Sequence, residues 1–166
     1  MCVMSYKPTP DELKRGVEHI VHDYATLVLT GEAIPTGKMG IPWNGPVEQS
    51  FLVNCRKFAH FFLNKGMRDK PDILSEHYLT SPKTFSLPTW GLWFDHHDKH
   101  LFHLSYARTG PSHRPWTGDP EDRDFFRELR SAWREFLLAH PLHEDEFNRW
   151  IEFKENQMAP YGVKLR

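Results

Sequence analysis

Apolar side chains recur along most of this chain with the spacing of a helix face, and no stretch alternates long enough with the period of two that a strand requires. Leu13, Val17, Ile20, Val21, Tyr24, Leu27 and Val28 make the first stripe. Thr9-Pro-Asp-Glu12 opens it as a capping box with proline at the first helical position, and Gly31 supplies a stop. Pro46 opens a second stripe of Val47, Phe51, Cys55, Phe58, Ala59 and Phe62, widened by Leu52 and Leu63. Trp90, Trp93, Phe94, Leu101 and Leu104 gather on a third. Asp119-Pro-Glu-Asp122 combines an N-cap, a proline and first-turn acids ahead of a fourth, which runs from Phe125 and Phe126 through Leu129, Ala132 and Trp133 to Leu137. Phe147, Trp150 and Ile151 point inward from the last. The spacing predicts helices over 10–30, 46–65, 89–108, 119–140 and 144–157, with loops at 31–45, 66–88 and 109–118. Inside the second loop Pro71–Tyr78 reads as a short helix and Pro82–Pro88 as extended, and the tail beyond Pro160 reads as loose. The expectation is a single all-α domain over 1–166, folded as a four- to five-helix up-and-down bundle.

Composition sharpens this picture in two places. Twelve Phe and six Trp raise the aromatic share to 14%, so the core is expected to be built on large rings. Against 21 basic residues stand 22 acidic ones, and a net charge of −1 gives no global field to collect nucleic acid or an anionic membrane. Cys2 and Cys55 make neither a disulfide framework nor a metal motif, which favours a reducing interior. The first residues lack the basic-then-apolar order of a secretion signal, and no apolar run is long enough to span a bilayer. A cytoplasmic protein without membrane partner or cofactor is expected.

Candidate chemistry concentrates in Trp90–Arg108, which holds four of the eleven histidines. His96, His100 and His103 fall at i, i+4 and i+7 and would line one side of a helix. Imidazoles so placed suit a zinc, nickel, copper or iron ion, yet a site would also want a carboxylate or histidine from another helix, and no HExxH or paired ExxH motif is present. His97 and Arg108 project from the apolar face itself, where each needs a hydrogen-bond partner. On the second helix Arg56 lies at the edge of the apolar face, and His60 follows one turn later. Arg56 and Arg108 facing His103 would suit phosphodiester chemistry. The imidazole would serve as general acid or base, the planar guanidinium forks would hold phosphate, and a ribose 2′-OH would attack. The same residues would equally serve as a buried polar network that fixes helix register. Arg127, Arg130 and Arg134, interspersed with Glu128 and Glu135, read as a solvated face, and His19 and His22 as pointing outward.

Ser50-Phe-Leu-Val-Asn-Cys-Arg-Lys-Phe-Ala-His-Phe-Phe62 and Asp98-Lys-His-Leu-Phe-His-Leu-Ser-Tyr-Ala-Arg108 resemble two motifs of a group of small bacterial all-helical proteins of uncharacterised function. Arg56, His103, Tyr106 and Arg108 match that group's pattern, while Cys55 replaces a small residue and Asp98 an asparagine. The resemblance covers roughly 46–108 and extends in architecture to the HEPN superfamily of helical bundles, many of them metal-independent ribonucleases of toxin and defence systems. It implies a HEPN-like fold, supports His103, Arg56 and Arg108 as catalytic candidates, and adds Tyr106 to His97 and His60, which their helix positions already mark, as binding positions. In that superfamily an arginine is followed, after four to six residues, by a histidine. Here the corresponding places before His103 hold Asp98, His97 and His96.

Three readings follow. The first is a noncatalytic interaction module with an interior Arg/His network, whose partner is a second copy of the chain. The second is a metal-independent ribonuclease acting on RNA through His103, Arg56 and Arg108. The third and least supported is a metal-binding bundle using His96, His100 and His103. The first leads because the arginine-before-histidine spacing is missing.

Overall fold

A computed structural model describes residues 6–33, 40–64, 72–97 and 120–166 of the chain. Helix α1 spans Pro10–Ala33 and starts at the expected capping box. The Thr9 N–H and hydroxyl each donate to Glu12 Oε2 at 2.8 Å, and the Glu12 N–H returns a bond to Thr9 Oγ1 at 3.3 Å. Tyr6 adds its hydroxyl to Glu12 Oε1 at 2.7 Å. These donors favour the charged carboxylate, the Thr9 N–H most of all, and draw the Glu12 carboxyl down to about 2.

The helix passes through Gly31 rather than ending there. A Cβ at Gly31 would stand 2.7 Å from Phe126 and 2.9 Å from Phe51. The glycine is therefore a place where two rings approach the backbone, which explains why it interrupts nothing. Helix α2 covers Gly40–Leu63 with Pro46 inside it, so the expected loop 31–45 is shorter at its C-terminal end. Pro42 falls in the first turn, where an N–H would lack an intrahelical partner anyway, and Pro46 forfeits a single bond. Asn64 closes α2 in the left-handed conformation, φ 51°. Its side-chain carbonyl accepts the Ser75 hydroxyl at 3.0 Å and the Glu76 N–H at 3.1 Å.

Helix α3, Trp90–His97, covers the described part of the expected 89–108 helix, and residues 98–108 lie outside the described residues. Helices α4, Pro120–Leu138, and α5, Glu144–Met158, agree with expectation to within a residue or two. Among the described residues no strand occurs.

Ring pairs give the helix directions. Tyr24 meets Phe58 while Gly31 meets Phe51, so α1 and α2 are antiparallel. Phe51 meets Phe126 and Phe62 meets Phe136, so α2 and α4 run parallel. Short α3 is antiparallel to both, and α5 turns back from α4. The result is the up-and-down all-α bundle that the periodicity predicts. At its centre Tyr24 stacks on Trp133 with centroids 4.1 Å apart and planes 18° from parallel, while Phe58 and Phe147 meet Trp133 edge-on. Such pairs contribute about 0.5–1.5 kcal/mol each beyond the area they bury.

Two stretches without helical period also enter the core. In the expected loop 66–88, Tyr78, Phe85 and Leu87 are buried. The anticipated short helix is one 3₁₀ turn, Ser75–His77. The Tyr78 hydroxyl donates to the Leu13 carbonyl at 3.0 Å, and its own carbonyl accepts the Leu142 N–H at 2.6 Å. The tail is docked rather than loose. Val163 and Leu165 are buried, the Leu165 N–H reaches Glu155 Oε1 at 2.8 Å, and Arg130 bridges the Lys164 carbonyl and Glu32.

Two outcomes test this account. Gly31→Ala should destabilise the fold by about 1–3 kcal/mol through overpacking, outweighing a helix-propensity gain of roughly 1 kcal/mol. Urea unfolding measures the sign, and a stabilised variant would mean that Phe51 and Phe126 give way freely. Glu12→Gln should lower the thermal midpoint at neutral pH. The carboxyl titrates near 2 in the fold against 4.5 ordinarily, so its contribution is complete above about pH 5 and fades toward pH 2. The gap between the two proteins should close over that window in a pH series of melts.

Candidate functional site

Helix α3, described over Trp90–His97, packs between α2 and α4. Thr89 precedes it and gives its N–H to the Glu128 carboxylate of α4 at 3.1 and 3.3 Å, with its hydroxyl bonded to Glu128 Oε1 as well. Glu128 thus places negative charge at the α3 N-terminus and is not part of a wholly solvated stripe as its sequence position suggests. Trp90 and Trp93 then pack on Phe125, with centroids 5.8 and 4.8 Å away.

Two turns further along α3 the interior becomes polar. His97 Nε2 lies 2.8 Å from Asp122 Oδ1, and the same oxygen accepts Trp93 Nε1–H at 3.1 Å. His97 is 6% exposed and Asp122 5%. Indole can only donate and an ionised carboxylate can only accept, so the Nε2 position of His97 carries the hydrogen shared with Asp122. Asp122 occupies the first turn of α4, where the helix N-terminus favours an anion. Cys55 of α2 is fully buried nearby, and its thiol is held protonated by burial first and by the Asp122 charge second.

On the flank of α3 that meets α2, the contacts run in the opposite order along the two helices. Arg56 lies over the Phe94 ring, Cζ to centroid 5.4 Å, and His60 meets Trp90 edge-on at 5.7 Å. Both α2 side chains are half-buried. Stacking fixes the guanidinium at the boundary between α2 and α3.

The structure therefore places three of the expected site residues, His97, Arg56 and His60, around α3. It does not bring them into one constellation: His97 faces α4, and the other two line the α2 side. His100, His103, Tyr106 and Arg108 lie outside the described residues, and so does the side chain of His96. Among the described residues no group of three or more His, Cys, Asp or Glu side chains is placed to hold a metal ion. Sequence reasoning assigned Asp122 to the α4 dipole and did not pair it with His97, because helical periodicity relates neighbours on one helix and says nothing across two. The chain matches no family model, no curated protein and no solved structure.

A double-mutant cycle tests the His97–Asp122 pair. Asp122→Ala should cost on the order of 3–5 kcal/mol by stranding two buried donors, whereas His97→Phe combined with Asp122→Leu should recover a large part of that loss. Additive single-variant costs in urea unfolding would show that the pair is not coupled.

Proposed function

We propose that this protein is a noncatalytic helical interaction module, HEPN-like in architecture and bacterial cytoplasmic in setting, with a second copy of the chain as its partner. The observation that supports this reading most is the buried Trp93–His97–Asp122 network. A general acid or base must reach the proton it moves, and this imidazole lies inside the bundle with its carboxylate partner beside it. Its chemistry is committed to holding α3 against α4, the role of a buried network that specifies register. Leu92 on α3 and Leu138 on α4, 68% and 76% exposed, supply apolar surface for a partner. No helix among the described residues is long and apolar enough to cross a membrane.

The ribonuclease reading draws on one further observation. Arg56, one of its three catalytic candidates, stands at a helix boundary beside an open groove, where a guanidinium can hold phosphate. Incubation of purified protein with single-stranded RNA in EDTA separates the two. The interaction module leaves the RNA intact and sediments as a dimer at micromolar concentration. EDTA-resistant cleavage abolished by His103→Ala, in a variant that melts like the parent, would replace this reading with the nuclease.

A further inference from the structure

Helix α4 carries Arg123, Arg127, Arg130 and Arg134, and neither reading above uses them. At about 100° per residue the four fall within an arc of roughly 60°, while Asp124, Glu128 and Glu135 lie together on the flank beside it. Bases and acids that alternate in the sequence are thus separated on the folded helix. We propose that this arginine stripe is a docking surface for the phosphate backbone of a nucleic-acid duplex, engaged without regard to base sequence.

The flanking acids are mostly committed elsewhere. Glu128 turns to the start of α3, where it accepts the Thr89 N–H at 3.1 Å, and Glu135 pairs with Lys83 at 3.6 Å. Asp124 alone turns back to the stripe, 2.7 Å from Arg127. Both partners are well exposed, and a pair of this kind contributes little and yields readily to another anion. Arg130 belongs to the scaffold: it bridges Glu32 and the Lys164 carbonyl and lies over the Phe126 ring at 5.9 Å. Arg123 and Arg134 are exposed and form no ion pair among the described residues. Arg123, Arg127 and Arg134 therefore stand open on one line, with its ends about 17 Å apart at 1.5 Å per residue.

The composition of this face selects the partner. A guanidinium fork matches phosphate in two-point contact, and three on one straight helix suit a ligand whose anionic groups repeat along a line. Between and beyond the arginines the arc holds Ser131 and Leu138, and no aromatic side chain. A protein partner would want a buried apolar centre, and a single strand would want rings on which to stack its bases. A duplex needs neither, because its phosphates face outward and its bases are already stacked. The net charge of −1 gives no attraction beyond this face, so the binding is expected to depend steeply on salt.

Fluorescence anisotropy with a short labelled DNA duplex of arbitrary sequence, titrated over a series of low salt concentrations, tests the proposal. Three phosphate contacts predict a slope of log affinity against log salt near −3, at about −0.9 per contact. Arg123→Gln, Arg127→Gln and Arg134→Gln should each weaken binding several-fold and flatten the slope by about one. Arg149→Gln, which removes the same charge from α5, should change neither. All four positions are exposed, and melting curves confirm that each variant folds. Absence of salt-dependent binding, or an equal loss in Arg149→Gln, would overturn the surface. Competition by poly-glutamate or phosphatidylserine vesicles as strong as that of unlabelled duplex would overturn the nucleic acid, and a single strand competing better would overturn the duplex. DNA carries no 2′-OH, so the result does not depend on the ribonuclease reading, and sedimentation reports on the dimer separately.

Discussion

Removing a carboxylate from water costs several kcal/mol unless charge and hydrogen bonds replace what water supplied. Asp122 is buried to 5% exposure, and the arrangement around it answers that cost from three directions: the N-terminus of α4, the Trp93 indole N–H and the His97 imidazole. Both side-chain donors come from α3. The described turns of α3 are therefore held where Asp122 requires them. Glu128 does the same at the helix start through Thr89. Two carboxylates of α4 thus hold α3 between Thr89 and His97, and the packed rings of Trp90, Trp93 and Phe125 fill the space between them.

The rest of the core is governed by shape. Rings on α1, α2, α4 and α5 meet at Trp133, and large flat groups tolerate close backbones only where a neighbour is small. Gly31 against Phe51 and Phe126, and Gly16 against the Tyr78 hydroxyl, are those places. The Tyr78 contact carries a second consequence. Its hydroxyl and carbonyl tie the start of α1 to the turn before α5, so a segment outside the long helices fastens two elements together at one end of the bundle. Asp72–Leu74 of that segment also line a groove between α1 and α2.

Much of this was legible in the chain, for a physical reason. Val17, Val21, Tyr24, Phe58, Leu129, Trp133 and Phe136 are buried where a 3.6-residue period puts them, and the Thr9–Glu12 and Asp119–Asp122 patterns mark helix starts because capping is a local event. Gly31 and Pro46 misled because the same residue types that end or begin helices also serve packing and tolerate interior positions. Tyr78, Phe85, Leu87, Val163 and Leu165 were missed because their burial follows from tertiary docking, with no period to announce it. His97 showed its need for a partner, an imidazole on an apolar face, but the partner's identity required the α3–α4 crossing. His19 read correctly as exposed, and its place on a groove wall depends on the α1–α2 register.

Interior and surface divide the polar chemistry of this molecule between them. Inside, Asp122, His97 and Trp93 satisfy one another at the cost of being inaccessible, and Cys55 is kept as a thiol by the same burial. At the surface, several charges are held by partners of opposite sign: Arg130 by Glu32, Arg127 by Asp124, Lys83 by Glu135. Exposed ion pairs contribute little to stability, so the polar groups that matter most to this fold are the buried ones, whose loss would leave a partner stranded away from water.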